Sequence, residues 1–130
     1  MAFICLTLLF LAGISVGREL AGREPLGLLK AEEVQWAQVR LVPPDESRYL
    51  TREEIGQLVP LLNRIVTHRQ DDSYQDYSGQ AVTFTIKIVD GPTTTVMAYN
   101  PFVVIDGVGY QTEYTPCEAL SQFGNSLLRR

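Results

Sequence analysis

The amino-acid sequence predicts an α+β domain in which an antiparallel sheet of four or five strands packs against two helices. Three observations support this fold class. Residues 80–111 alternate between apolar and polar side chains and contain two Asp-Gly pairs. Residues 51–66 and residues 115–128 each carry apolar side chains at spacings of three and four, which is the pattern of a helix with one buried face. A chain of 130 residues suits one such domain.

The centre of the predicted sheet is the stretch 82–88, where four apolar side chains alternate with two threonines and a lysine. This period of two places one strand face on a core and the other in water. Type I′ turns need positive φ at both central positions, and Asp-Gly satisfies that need. Two such pairs occur here, Asp90-Gly91 and Asp106-Gly107. Residues 102–105 are apolar throughout, which predicts a strand covered on both faces.

An earlier strand is predicted from Val34 onward. Val34 and Trp36 share one alternation phase, whereas Val39 and Leu41 share the opposite phase. This change of phase near Ala37 predicts a bulge or a break between two short strands. The pair Pro43-Pro44 then ends the strand, because proline cannot donate to a ladder.

The first helix is predicted over residues 51–66. Thr51 and Glu54 have the spacing of a capping box, in which each side chain bonds the main chain of the other. Pro60 lies inside the apolar stripe and predicts a kink, since it lacks an N–H and crowds the preceding turn.

The second helix is predicted from residue 115. Thr115 is the expected N-cap, with Pro116 at the first helical position and Glu118 completing a second capping box. Ala119, Leu120, Phe123, Leu127 and Leu128 form its expected buried stripe.

The first seventeen residues differ from the rest of the chain. Residues 1–17 carry no charge and are largely apolar, which predicts a signal peptide or a membrane anchor. Residues 18–33 then read as a polar linker, and residues 34–130 as the single α+β domain. The expected location is extracytoplasmic, secreted or membrane-anchored, with cleavage of the leader left open. Cys5 lies in the leader, so a cleaved chain keeps Cys117 alone and has no intrachain disulfide.

Composition and motifs narrow the functional classes. The formal net charge of -4, without any basic run, argues against nucleic acid as a partner. Phosphate-loop, zinc-protease and paired-cysteine motifs are absent from the sequence, and neither a cofactor nor a metal is expected. His68 and Cys117 have no flanking signature of a catalytic dyad. No catalytic residue is therefore assigned.

The most polar stretch, residues 68–79, contains three aspartates without the register of a calcium loop. It is predicted to be a solvated loop. Tyrosine combines a large contact area with a polar tip, so the tyrosines of this loop and of the sheet are the candidate binding residues. These residues are Tyr74, Tyr77, Tyr99 and Tyr110. The alternative is that tyrosines cap the sheet edge.

A family resemblance covers residues 50–128. The segments that carry it are LTREEIGQLVPLLNRI, DDSYQDYSGQAVTFTI, AYNPFVVIDGVGYQT and PCEALSQFGNSLL. They resemble small extracytoplasmic domains of unknown function from Gram-positive gut bacteria, which occur as stand-alone lipoproteins or as tails of membrane-bound antirepressor-type proteins. The resemblance implies a location and a fold. It implies no activity. This chain lacks the lipidated cysteine of the lipoproteins, and it lacks the metal motif of the antirepressor-type proteins, which are peptidases.

The sequence therefore predicts an exported, non-enzymatic binding or sensing domain whose ligand is an unknown protein or small molecule. One alternative is a protein–protein interaction or inhibitor domain, which predicts a contiguous apolar patch. The other is a small extracytoplasmic hydrolase using carboxylates such as Asp106 or Glu113, which predicts a deep pocket with a perturbed carboxyl group.

Overall fold

A computed structural model describes residues 22–129, so the predicted leader, residues 1–17, lies outside the described residues. The described chain forms one seven-stranded antiparallel sheet and two α-helices. The strands are β1 (Val34–Val42), β2 (Glu46–Tyr49), β3 (Thr67–Gln70), β4 (Ala81–Ile88), β5 (Thr93–Tyr99), β6 (Phe102–Ile105) and β7 (Val108–Thr112). The helices are α1 (Arg52–Asn63) and α2 (Tyr114–Leu128), and short 3-10 turns occur at Ala31–Glu33 and Ser73–Asp76.

The α+β class is confirmed, but the expected count of four or five strands is wrong. The sheet has the order β2-β1-β4-β5-β6-β7-β3, and the two strands that exceed the count are β2 and β3 at its edges. Their sequences, ESRY and THRQ, contain no apolar alternation. An edge strand pairs on one side only and is half solvated, so it does not need the pattern that reveals a central strand.

Both helices lie on one face of the sheet, and the core fills the space between them. In-register residues of neighbouring strands, such as Val39, Phe84 and Val96, point to this helix side and are fully buried. Leu58 and Leu62 of α1 and Leu120 of α2 meet them. The alternation that predicted β4 therefore identified its buried face correctly.

The two Asp-Gly turns differ. Asp106 and Gly107 have φ of 50° and 83°, so the β6–β7 turn has the positive φ at both positions that a type I′ turn requires. Asp90 has φ of 54°, but Gly91 lacks positive φ, and the β4–β5 connection spans four residues, 89–92. The type I′ prediction is wrong there. Because proline cannot continue the ladder, the next strand begins only after Pro92.

The phase change predicted in β1 is present as a bulge. The register with β4 shifts between Val34 and Trp36, and both Val34 and Ala37 are fully buried. The extra residue lets two apolar side chains of opposite phase enter the same core.

The first helix begins as predicted but ends earlier. The Thr51 hydroxyl accepts from the Glu54 N–H at 3.2 Å, and the Thr51 N–H donates to Glu54 Oε1 at 2.8 Å. The helix ends at Asn63 rather than residue 66. The N–H groups of Arg64 and Ile65 bond the carbonyls three residues back, which tightens the last turn and releases the chain toward β3.

An ion pair joins α1 to the edge strand β2. Arg48 Nη1 and Nη2 donate to Glu54 Oε1 and Oε2 at 2.9 and 2.6 Å, and Arg48 Nε donates to the carbonyl of Leu127 at 3.0 Å. Glu54 is buried. The Arg48 guanidinium and the Thr51 N–H hold the pKa of Glu54 at about 2, below its usual value of 4.5, against the opposing effect of burial. The Arg48 side chain therefore connects β2 with both helices.

The second helix begins one residue before the predicted cap. Its N-cap is Glu113, without a side-chain capping bond, so Thr115 and Pro116 lie inside the first turn and the predicted capping box is wrong. Glu118 instead accepts from Asn100 Nδ2 at 3.3 Å and from Gln122 at 3.5 Å.

Among the residues the structure describes, no helix has the length and apolar character needed to cross a bilayer.

Gly124 sets the distance between α2 and the sheet. It is buried, and a Cβ atom at this position would overlap Val82 Cγ1 and come within 3.3 Å of Phe84 Cζ and Val39 Cγ2. The helix main chain therefore lies directly on the side chains of β1 and β4.

Residues 22–33, which the sequence predicts to be part of a linker, pack on the domain. Leu26, Leu29 and Ala31 rest against the core, and Asn63 Nδ2 donates to the carbonyls of Leu26 at 2.6 Å and Leu29 at 3.0 Å. Arg23 exchanges two main-chain hydrogen bonds with Thr67 at the outer edge of β3. This N-terminal segment, residues 22–28, forms one wall of the site described below.

Candidate functional site

A segment of the chain covers part of the sheet face opposite the helices. This crossing segment, residues 71–80, runs from β3 at one edge to β4 in the middle of the sheet. The Asp71 N–H donates to the carbonyl of Gly109 at 2.8 Å, and the Gly109 N–H donates to Asp72 Oδ1 at 2.9 Å. The first part of the predicted solvated loop therefore belongs to β3. The rest is exposed at residues 75–80, as expected of a solvated loop, but hydrogen bonds hold it on β7 as a cover.

Two of the four candidate tyrosines lie in the crossing segment, and a third, Tyr99 of β5, bonds to it. Tyr74 is half-buried above Gly109, where any side chain at residue 109 would meet its ring. The Tyr77 ring packs edge-on against Phe102 with centroids 5.3 Å apart, although 56% of Tyr77 is exposed. The Tyr99 hydroxyl donates to the carbonyl of Tyr77 at 2.9 Å. The contacts of these three tyrosines hold the crossing segment on the sheet.

Tyr110 lies on the other side of the sheet. It is paired with Val103, whose side chain is buried under the helices, and it packs against the same core. The four candidate tyrosines therefore do not form one surface, and Tyr110 alone of the four lines the cleft described below.

The crossing segment should loosen in acid because of Asp71. Hydrogen bonds from Ser73 and then from Gln111 Nε2 hold the pKa of Asp71 at about 2, below its usual 3.8. A carboxyl group with a lowered folded pKa stabilises the fold above its unfolded pKa, and that contribution is lost as the pH falls toward the folded value. Amide exchange at residues 73–77, corrected for intrinsic rates, should therefore accelerate as the pH falls from about 4 to about 2.

The matched variants for this prediction are Asp71→Asn and Asp76→Asn. The first should show fast exchange of the segment already at neutral pH, whereas the second changes an exposed aspartate of the same segment and should behave as the parent. Equal exchange in both variants at neutral pH would show that the Asp71 bonds do not hold the cover.

A cleft lies between the N-terminal segment and β3. This β3 cleft has a volume of about 1340 Å³. Its lining combines the N-terminal segment, the edge strand and two residues from β6 and β7: Gly22, Arg23, Glu24, Pro25, Gly27, Leu28, Thr67, His68, Arg69, Gln70, Ile105 and Tyr110. The strand register places Ile105 and Tyr110 on the helix side, since their register partners Val96 and Val103 are buried there.

The cleft carries more positive than negative charge. Arg23 and Arg69 line it together with a single acid, Glu24. Across residues 22–129, neither arginine side chain has a hydrogen bond or a direct ion pair. Arg69 lies near enough to Asp71 to make a small contribution to lowering its pKa. The guanidinium donors of both arginines are therefore available to a ligand.

His68 lines the cleft beside Gly22. Its Nε2 atom lies 3.2 Å from Glu113 Oε1, and the side chain is about one quarter exposed. The thiol that a dyad would require is elsewhere: Cys117 is fully buried, donates to the carbonyl of Phe102 at 3.5 Å, and has a pKa raised to about 11 by burial.

The carboxylates considered for a hydrolase have other partners. Asp106 accepts from the Thr95 N–H at 2.9 Å and the Thr94 hydroxyl at 3.0 Å, bonds that brace the β6–β7 turn. Glu113 is paired with His68. In the described part of the chain, no group of three or more potential ligand residues could hold a metal ion.

Sequence reasoning missed the arginines of the cleft. Arg23 stands in the predicted linker, and Arg69 stands in the predicted loop, forty-six positions later in the chain. The signal that could have found them is weak: two arginines in polar stretches of an acidic protein.

The chain was compared with protein families, curated proteins and solved structures. No family model, no curated protein and no solved structure matches it.

Proposed function

We propose that the protein is an exported, non-enzymatic binding or sensing domain and that the β3 cleft is its ligand site. The observation that supports this proposal most is the cleft itself, a concavity of about 1340 Å³ lined by an aromatic ring and unpaired donors. Small-molecule sites typically have this combination of an apolar wall and a few converging polar groups. Export follows from the uncharged apolar leader, and the resemblance to extracytoplasmic domains agrees with it.

The perturbed titratable groups favour binding over hydrolysis. A catalytic acid or base would be expected to line the cleft with a pKa moved toward neutrality. The pKa values of Glu54 and Asp71 are instead lowered by hydrogen bonds to structural partners, and the Cys117 pKa is raised in the core. None of these three residues lines the cleft.

A second candidate is a protein-interaction or inhibitor domain. Its support is the part of the sheet face that the crossing segment leaves open. Trp36 and Tyr49 stand there with ring centroids 5.7 Å apart, and Tyr49 is 62% exposed. The register places Thr83, Thr85 and Met97 on the same face. An open sheet face with aromatic residues at one end suits a protein surface better than a small molecule.

The cleft should respond to ligands in a thermal-shift screen. The full-length chain, kept soluble with a non-ionic detergent, would be screened against metals, cell-wall fragments, peptides and small metabolites. A ligand that binds only the folded state stabilises it by about 2.7 kcal/mol at a hundred times its Kd, which raises Tm by several degrees. The shift should be lost in Arg69→Ala and in Tyr110→Ala, which remove cleft side chains.

Tyr114→Ala and Arg64→Ala are the matched controls, because both residues are exposed and neither lines the cleft. They should keep the full shift. If a ligand still raises Tm in both cleft variants, its binding site is not the β3 cleft. If no compound shifts a cooperative transition, small-molecule sensing is wrong, and binding of a partner that is blocked by Trp36→Ala would support the interaction domain.

A further inference from the structure

We infer that the β3 cleft selects small molecules that carry an oxyanion, a carboxylate or a phosphate, on an apolar body. This inference rests on the proposed function, since it names the ligand class of the same site. It combines three features of the lining: free guanidinium donors, an apolar and aromatic floor, and a charge opposite in sign to that of the whole chain.

The guanidinium groups supply the anion site. Arg23 comes from the N-terminal segment and Arg69 from β3, so the cleft is lined by an arginine from each of its two main walls. The planar fork of arginine matches the two oxygens of a carboxylate or phosphate, and such charge-assisted bonds are stronger than neutral ones. Glu24 leaves a net formal charge of +1 from these three residues, two positive minus one negative.

Hydrogen bonds fix the main-chain positions of these arginines. Arg23 is tied to Thr67 by hydrogen bonds of 2.8 and 2.7 Å, one in each direction. Thr67 in turn pairs with Thr112 of β7. Arg69 lies in β3, and the main chain of Arg23 is hydrogen-bonded to β3, so a ligand would have to order the two side chains but not the main chain.

The floor of the cleft supplies the apolar contact. Ile105 and Tyr110 lie on the helix side of the sheet and line the cleft together with the N-terminal segment, and Leu28 is 92% exposed. An apolar ligand body on this floor would remove carbon surface from water while its anion meets the guanidinium groups.

The two arginines of the cleft are opposite in charge to the protein as a whole. The chain has a formal net charge of -4, so its average field repels anions. A locally positive concavity on such a protein is a specific feature rather than part of a general basic surface. Because the arginines are exposed, the attraction should weaken as salt is added.

The test uses probes of matched shape. Phenylacetate and phenyl phosphate carry the anion and an aromatic body, phenylacetamide is the neutral counterpart of the first, and inorganic phosphate has no apolar body. Each would be titrated into the ¹⁵N-labelled full-length chain in non-ionic detergent while the Nε–H signals of Arg23, Arg69 and Arg64 are followed. These signals report directly on the groups named, with Arg64 as the arginine outside the cleft.

Phenylacetate or phenyl phosphate should shift the signals of Arg23 and Arg69 and leave Arg64 unchanged. Inorganic phosphate should bind at least about ten-fold more weakly, since it lacks contact with the floor. Arg69→Gln should weaken the tightest probe by about ten-fold or more, and Arg64→Gln should not change it. The relative affinity of the two aromatic anions distinguishes a carboxylate site from a phosphate site.

Two results would overturn the inference. The first is that phenylacetamide binds as tightly as phenylacetate and shifts Tyr110 without the arginines; the anion class would then be wrong while the cleft remains a ligand site. The second is that none of the anions moves Arg23 or Arg69. If the wider thermal-shift screen also finds no cleft ligand, the proposed function fails together with the inference, whereas a neutral ligand found there leaves the proposed function standing.

Discussion

Replacing Glu54 by alanine should lower the free energy of unfolding by about 3 kcal/mol, because it leaves the Arg48 guanidinium without its carboxylate partner in a largely buried place. Breaking a buried pair by removing one partner commonly costs 3–5 kcal/mol, and the lower end applies here since 31% of the Arg48 side chain is exposed. The same substitution removes half of the α1 capping box. Chemical denaturation followed by circular dichroism measures the loss.

Glu53→Ala is the matched control, since Glu53 is exposed in the same first turn of α1. It should change the unfolding free energy by no more than about 0.5 kcal/mol. The pH dependence gives a second check. The Glu54 pKa is about 2 when folded and 4.5 ordinarily, so its contribution is complete above about pH 4.5 and falls away as the pH drops toward 2. An equal loss in both variants would show that first-turn charge, not the ion pair, provides the stability.

Gly124→Ala should destabilise the protein by about 2–3 kcal/mol through overpacking. Alanine normally favours a helix by up to about 1 kcal/mol over glycine, so the sign of the effect is itself informative. The added methyl group would overlap Val82 and crowd Phe84 and Val39, all of which are nearly or fully buried. α2 would have to move away from the sheet, and thermal unfolding should show a lower Tm.

Gly56→Ala provides the opposite expectation in the other helix. Gly56 is exposed on α1, and a Cβ atom there would have nothing within 4 Å. This substitution should therefore stabilise the protein by up to about 1 kcal/mol, through helix propensity alone. If both glycine variants stabilise the protein, the close approach of α2 to β4 is not what constrains residue 124.

The predictable part of the fold is the part in which local pattern and burial agree. In β4, each second residue enters the core, so the alternation of Val82, Phe84 and Ile86 identifies both the strand and its face. The capping box of α1 was readable because Thr51 and Glu54 satisfy each other within one turn. Both signals involve residues close together in the chain, and neither depends on tertiary context.

The parts that failed depend on distant partners. β2 presents Arg48 to the helix side, and an arginine is acceptable there only because Glu54 and the Leu127 carbonyl receive its protons. The helix α2 begins before Thr115, although Thr115, Pro116 and Glu118 have a good capping pattern, so local propensity alone did not place its start. A propensity rule cannot detect such arrangements.

The candidate site was even harder to predict from the sequence. Tyr110 was identified by residue type, but its neighbours Arg23 and Arg69 come from stretches that resemble a linker and a loop. They line the same cleft only because Arg23 pairs with Thr67 and β3 pairs with β7, and no periodicity in the sequence predicts these pairings.

The strand order also determines when the cleft can exist during folding. β4, β5, β6 and β7 are neighbours both in the chain and in the sheet, so this meander closes only short loops as it forms. β3 precedes β4 in the chain yet pairs with β7, and the N-terminal segment comes from still further back. Contacts of high sequence separation carry the larger entropic cost and tend to form late. The cleft walls would thus assemble after the meander and open before it, so that ligand binding would report on the complete native chain rather than on a partly folded one.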